Sequence, residues 1–216
     1  LESSRVQQVV ISGKLGDGSL VCQSKKKGNY CIMFSAVHLD YLLFKRDVLQ
    51  LFVKATNVSI GKSGYKVGGI HYRFSTRVHP MISAIGNLSI SECIEQMSLM
   101  GLVMFYLDDG TYHQRKHFMN LYCNTFSDKE IAELIAKIYQ FYPVKICAKR
   151  WDRKKDGRKY PYLYIPVSTA NMLKKDVAQF LLENEIYSML YKVGLPSTTI
   201  ESISKECMTC SLERSE

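Results

Sequence analysis

The chain has 216 residues, a formal net charge of +9 and a pI near 9.1, with 46% hydrophobic and 11% aromatic residues. It can bury a core as one domain or two small ones, and its positive balance favours a polyanionic partner such as nucleic acid over an acidic small molecule. Seven scattered cysteines argue against a secreted disulfide scaffold, and no apolar run or leader pattern points to a membrane span or a signal peptide.

In chain order, residues 1–8 read as a polar lead-in, with a first helix beginning near Ser4 to Val6. The chain opens on Leu1, so it reads as a trimmed or excised piece of something longer. Val10 to Gly18 is an apolar segment that delivers Asp17 just before a glycine. Ser19 to Cys22 and Tyr30 to Phe34 read as strands around a loop holding Lys25, Lys26 and Lys27. Tyr41, Leu42, Phe44, Val48, Leu49 and Phe52 give helical spacing within Val37 to Thr56. A second hairpin, Val58 to Ile60 and Tyr65 to Ser75, is punctuated by Gly61, Gly64, Gly68 and Gly69. Met81 to Leu88 then links the halves.

Ile90, Cys93, Ile94, Met97 and Met100 fall near one face and predict a helix from about Ser91. It continues through the apolar run Leu102 to Leu107 and carries Asp108 and Asp109 out of its C-terminal end, with Gly110 suited to the C′ position. A helix C-terminus already holds partial negative charge, so two carboxylates there require a compensating cation. Tyr112 to Thr125 reads as a hairpin. Asp128 to Tyr142 is an amphipathic helix opened by a Ser127–Glu130 capping box. Val144 to Val167 is a strand, an Asp156-Gly157 turn and a strand. Helices over Asn171 to Asn184 and Ile186 to Val193 close the fold, and a polar tail follows from Gly194. Cys207 and Cys210 form a lone pair without the second pair of a zinc module. No P-loop, helical His motif or nucleophile triad is suggested by spacing.

The halves repeat. Asp17 and Asp109 lie 92 positions apart; Phe34 and Phe126 follow them at the same offset, as do Tyr72 and Tyr164. Two copies of one unit, each offering a carboxylate from a helix end, predict a pseudo-dimer with those helices side by side and the carboxylates meeting near a pseudo-twofold axis. Ser12, Gly13 and Gly101 supply small residues for that packing.

The cations cluster. Val144 to Tyr160 holds Lys145, Lys149, Arg150, Arg153, Lys154, Lys155, Arg158 and Lys159 against Asp152 and Asp156. The matching part of the first half holds Lys62, Lys66, Arg73 and Arg77, and the two leading hairpins carry Lys25–Lys27 and Gln114, Arg115, Lys116 and His117. Period-two alternation puts such residues on one face of a ribbon, and a two-stranded ribbon fits the major groove. Lys154 and Lys155 are the expected phosphate contacts near the turn, and Arg150, with Arg153 close behind, the expected base reader. Paired aspartates, backbone carbonyls and waters suit a hard divalent metal, which phosphodiester hydrolysis uses to activate water and neutralise the leaving oxygen.

These residues resemble the LAGLIDADG homing endonucleases, of the type found in group I introns and free-standing phage or organellar genes. The paired motifs stand as Lys14-Leu15-Gly16-Asp17-Gly18-Ser19-Leu20 and Phe105-Tyr106-Leu107-Asp108-Asp109-Gly110-Thr111. The likeness continues in Tyr72 to Pro80 and in Ser188-Met189-Leu190-Tyr191-Lys192, and covers roughly Val9 to Lys192. Lys14 departs from the motif, whose position is usually apolar, and is expected to point away from the helix interface, towards solvent or DNA.

The resemblance implies an α+β fold, a pseudo-twofold monomer of two αββαββα repeats with antiparallel β saddles for DNA and the motif helices packed at the centre. The repeats are expected over 1–88 and 89–193, with a tail over 194–216. It further implies metal-dependent double-strand cleavage across the minor groove at a long asymmetric site, leaving short 3′ overhangs. Asp17 and Asp109 become ligands of Mg²⁺ or Mn²⁺, helped by the carbonyls of Gly16 and Asp108. A basic and a polar residue are expected around each water: Arg77 serves the first half, while Ser168 or Thr169 stands where the second half should have a lysine. Lys149 or Lys159 is the substitute across the ribbon, and Asn124 and His38 are further water-positioning candidates. Two other readings share the fold: a maturase binding intron RNA, and a catalytically silent DNA-binding regulator. The protein is expected wherever its host DNA is, in a bacterial or phage-infected cytoplasm or an organelle, and not secreted.

Overall fold

The computed structural model describes residues 2–24, 28–53, 58–62, 70–153, 157 and 159–196. Lys25–Lys27, Lys66, Lys154, Lys155, Arg158, Cys207 and Cys210 lie outside these residues, as do the side chains of Lys62 and Arg153. The first half runs α1 (Glu2–Leu15), β1 (Ser19–Ser24), β2 (Asn29–Ala36), α2 (Leu39–Val48), a 3₁₀ turn (Gln50–Phe52), β3 (Ser59–Lys62), β4 (Ile70–Ser75) and α3 (Pro80–Asn87). The second runs α4 (Ile90–Gln96), α5 (Leu99–Asp109), β5 (Gly110–His113), β6 (Phe118–Tyr122), α6 (Asp128–Phe141), β7 (Ala148–Arg153), β8 (Lys159–Ile165), α7 (Val167–Glu183) and a 3₁₀ turn (Tyr187–Val193). Each half has one antiparallel four-stranded sheet, in the orders β1-β2-β4-β3 and β5-β6-β8-β7.

The helix predicted from Ser91 through Asp109 is two helices. Ser98 breaks it: its Oγ accepts the Gly101 N–H at 3.3 Å as an N-cap, and its own N–H donates to Gln8 Oε1 at 2.8 Å. Gln8 in turn donates to the Gln96 carbonyl at 3.1 Å. One glutamine of α1 thus satisfies backbone groups on both sides of the break and seats the start of α5 on α1. Leu102 to Leu107 are all buried, so α5 is apolar all round because it is enclosed all round.

Contacts between α1 and α5 advance together, in steps of four residues on α1 and of three and then four on α5. Gly101 lies under the Gln8 side chain, Ser12 Oγ is 3.9 Å from Met104 Sδ, and Gly16 sits against Asp108. The two helices are therefore parallel and side by side, as the repeat predicted. Gly13 serves differently: a Cβ there would meet the Phe34 ring at 2.5 Å, so its smallness admits β2, not α5. Gly110 also differs from expectation. It is extended, with φ −91°, and starts β5; a side chain there would overlap Tyr106.

Other boundaries shift modestly. α1 starts at Glu2, so the supposed lead-in is helical, and α2 gives way to the 3₁₀ turn well before Thr56. α7 starts at Val167, directly after Pro166. Ser127 and Glu130 form the predicted capping box, and Ser89 and Glu92 form a second. The 92-residue offset holds through the helices and fails beyond them, because the hairpins differ in length. Phe34 lies in β2 whereas Phe126 falls after β6; Tyr72 shares the helix-side face of Phe74, whereas Tyr164 lies opposite the buried Leu163 and Ile165.

Lys14 avoids the helix interface but goes neither to solvent nor to DNA. Its ammonium donates to the carbonyls of Ile85 at 3.1 Å, Gly86 at 2.9 Å and Leu88. These lie at the C-terminal end of α3, where unpaired carbonyls carry partial negative charge, so the lysine is a cap supplied from another helix. Lys14→Met should lower unfolding free energy by about 1–3 kcal/mol, the cost of leaving such groups unpaired. Urea denaturation checks this; an unchanged midpoint would show the cap to be dispensable.

Candidate active site

The parallel packing of α1 and α5 brings their C-terminal ends together. Gly16 is the point of contact: a Cβ there would lie 2.9 Å from Asp108 Cβ, 3.0 Å from Asp108 Oδ2 and 3.2 Å from Asp109 Oδ2. Asp17, one residue on, completes a cluster of three carboxylates at two helix ends. The helix dipoles add to their repulsion.

Two lysines answer that charge. Lys45 of α2 is buried, and its ammonium grips both oxygens of Asp108 at 2.7 and 3.0 Å. It also sits 4.2 Å over the Tyr41 ring and 5.0 Å from the centre of the Phe34 ring. The Tyr41 hydroxyl donates to the Met104 carbonyl at 3.2 Å, tying this cage to α5. Lys192, in the 3₁₀ turn after α7, donates to the Gly110 carbonyl at 2.7 Å. Its turn is pinned twice: Tyr106 donates to the Lys192 carbonyl at 2.8 Å, and Asp40 accepts the Ser188 N–H at 2.9 Å and hydroxyl at 2.5 Å.

The charges are not fully compensated. Desolvation between the helix ends, then the charge of Asp108, lifts Asp17 to about 6 against the pull of Lys45 and Lys192. Desolvation, then Asp17 and Asp108, lifts Asp109 to about 7, against Lys192 and Lys45. Burial lowers the Lys192 ammonium, opposed by the three aspartates.

A pocket of about 170 Å³ opens beside the cluster, lined among others by Asp17, Asp108, Lys45, Lys192, His38 and Tyr191. His38 Nε2 is 3.2 Å from the Tyr191 hydroxyl, and burial lowers its pKa. Its lining includes neither Arg77 nor Asn124. Arg77 is exposed and donates its backbone N–H to the Phe52 carbonyl at 2.6 Å, and Asn124 lies in the exposed turn after β6. Ser168 and Thr169 fall in the first turn of α7, where Thr169 donates to the Lys145 carbonyl at 2.8 Å. Lys45 and Lys192 are the cations that the fold delivers to the carboxylates. Lys45 carried no sequence signal beyond being a lysine inside an apolar helical pattern, and Lys192 showed only as part of a matched segment.

Among the described residues, no group of three His, Cys, Asp or Glu side chains forms a metal-ligating cluster. The donor set nonetheless fits a hard cation that keeps most of its waters. Asp108 is committed to Lys45, which leaves the two raised carboxylates, Asp17 and Asp109, with backbone carbonyls beside them.

The sheets flank this centre, each with helices on one face and the other face open. Register assigns sides to the predicted DNA-binding residues. Arg150 pairs with Tyr162 on the open face, its guanidinium 3.7 Å over the Tyr164 ring. Lys149 pairs with buried Leu163 on the opposite side and bonds Asp128 at 2.5 Å; Lys159 shares that register. Arg73 is exposed on the open face of the first sheet, 3.2 Å from His71. Gln114, Arg115, Lys116 and His117 are exposed in the β5–β6 turn. The basic ribbon thus does not present all its charge one way.

Both aspartates have folded-state pKa values above the unfolded value, so their contribution favours folding below about pH 4 and is lost as pH rises towards 6 and 7. Asp109→Asn should therefore stabilise the metal-free protein at pH 7.5, by on the order of 1–2 kcal/mol after solvent screening, and have little effect at pH 4. Denaturation midpoints at the two pH values test this. Equal effects at both would remove the charge cluster as the cause.

A family model described as the LAGLIDADG DNA endonuclease family matches residues 8–173. No curated protein matches the chain. Among solved structures, the homing endonuclease I-WcaI bound to its DNA recognition sequence aligns with a TM-score of 0.67 at 17% identity, over 89% of this chain and 87% of that one. Mesophilic variants of the homing endonuclease I-DmoI align with a TM-score of 0.51 at 11% identity, over 83% and 98%. These two likenesses concern the fold: two four-stranded antiparallel sheets with helices between. With paired motif helices, their aspartates adjacent and a family match across most of the chain, this protein belongs to the LAGLIDADG DNA endonuclease family.

Proposed function

We propose that the chain is a site-specific double-strand DNA endonuclease, acting as a monomer whose repeats, 1–88 and 89–193, each address half of a long asymmetric site. The observation that carries this reading is the convergence of Asp17 and Asp109 at the adjoining ends of parallel helices, one carboxylate from each repeat. A duplex has one scissile phosphate per strand, and two carboxylates side by side suit two strands approached across the minor groove. The match of I-WcaI, solved on its DNA recognition sequence, supports the same direction.

Asp17 and Asp109, with the carbonyls of Gly16 and Asp108, would hold Mg²⁺ or Mn²⁺. Bound there, the cation would lower the pKa of a water and neutralise charge on the leaving oxygen. The chain's own residues do the rest. Lys45 keeps the Asp108 carboxylate turned inward, away from the phosphate. Lys192, desolvated and held against Gly110, places a proton donor and a positive charge beside both aspartates. His38 and Tyr191 line the neighbouring pocket and can order a water there. The open faces of the sheets carry the duplex, with Arg73 and Arg150 facing it and the β5–β6 turn at its edge. The net charge of +9 supplies sequence-independent attraction to the phosphates.

Asp17→Asn and Asp109→Asn should each abolish double-strand cleavage while duplex affinity stays within a few-fold of wild type. Lys192→Met should slow cleavage by about 10²-fold or more, as removal of a charge-stabilising group does, again without loss of binding. Cutting of DNA carrying the uninterrupted host-gene junction, with Mg²⁺ present, reads both. Undiminished cutting by the Asp109→Asn protein would sink the assignment.

A further inference from the structure

The two open sheet faces are chemically unlike. On the first, register places Ser19, Ser35, Ser59, Ser75, His71 and Arg73 together, with Val21 and Met33 among them. Hydroxyls, an imidazole and a guanidinium dominate that face. On the second, Phe118, Tyr122, Tyr160, Tyr162 and Tyr164 share the face with Thr111, His113, Asn120 and Asp152, so rings are its largest component, and Arg150 is the one Lys or Arg on it among the described side chains of β5–β8.

Several of these rings pack against one another. His113 stacks on Phe118 at 4.1 Å, Phe118 meets Tyr164 at 5.0 Å, and Tyr122 meets Tyr162 at 5.9 Å. Arg150 lies over Tyr164. Phe118 has no polar atom to offer a base edge or a phosphate, yet it is only half-buried. β5 starts at Gly110, the residue after Asp109, so a duplex held at the carboxylates continues directly along this face. Alternate residues on a strand are about 6.7 Å apart, close to two base-pair steps, so successive rings meet successive pairs of bases. In the major groove the apolar feature that such rings can contact is the C5-methyl group of thymine.

We propose that the second sheet reads its half-site through thymine methyl groups, while the first reads its own mainly by hydrogen bonds. This rests on the DNA-binding reading above. The half-site under β5–β8 is then rich in thymine on the strand facing the rings, and Arg150 adds one polar contact at its edge.

The test selects bound sequences from a random duplex library with the full chain in Ca²⁺, then replaces each selected thymine by deoxyuridine, which removes only the methyl. The expected result is thymine enrichment in one half-site and a three- to four-fold loss of affinity per critical methyl there, the scale of one buried methylene. The other half-site should be insensitive. Phe118→Ala should remove the sensitivity at the position that ring contacts in that same half, while leaving the selected sequence of the other half unchanged. The uridine substitutions use the wild-type protein, so they decide the matter whether or not the variant folds. Selected sites with no methyl-dependent half would overturn this inference and leave the DNA-binding reading intact. Failure to select any duplex would overturn both.

Discussion

The buried ion pair between Lys45 and Asp108 is what lets the two motif helices end where they do. Three carboxylates at the C-termini of two parallel helices repel one another and the helix carbonyls. Without an ammonium gripping Asp108, the Asp108 charge would sit enclosed and unpaired, a situation that costs several kcal/mol in proteins generally. Lys45 is in turn held by rings from Tyr41 and Phe34, and Tyr41 by a carbonyl of α5. One cation from α2 therefore joins the first repeat's sheet, its second helix and the second repeat's motif helix at a single point.

Compensation stops there. Lys45 neutralises Asp108, and Lys192, placed by Asp40 and Tyr106, lines the same pocket beside the cluster, but two carboxylates remain raised towards neutrality. A site left short of positive charge is destabilised when empty and stabilised by whatever brings charge to it. The two repeats are alike in topology and unlike in these details: the first supplies Lys45, the second Lys192, and neither has a counterpart by sequence offset at the same place in the cluster.

Much of this was legible because the motif helices repeat with constant spacing. Ser12 and Met104, Gly16 and Asp108, and Asp17 and Asp109 share one offset and meet in space. The capping box at Ser127 was readable because its chemistry is local. Beyond the helices the offset misled, since hairpins of different length put Tyr72 and Tyr164 on opposite kinds of face. The break at Ser98 was hidden because its cause is Gln8, ninety residues away. Lys14 read as a residue facing solvent or DNA and Lys45 carried no signal, because their partners come from helices distant in sequence. The run of basic residues in β7 concealed alternation: Lys149 and Arg150 are neighbours in the chain and face opposite ways.

The central claim is that Asp17 and Asp109 form one cation site whose charge the fold leaves open. Calorimetric titration of the metal-free protein with Mn²⁺ at pH 6.5, in buffers of different ionisation enthalpy, measures it directly. With the carboxylates near 6 and 7, binding should release about one proton. That release should fall by more than half in Asp109→Asn. Binding without proton release, or release unchanged in that variant, would contradict the account.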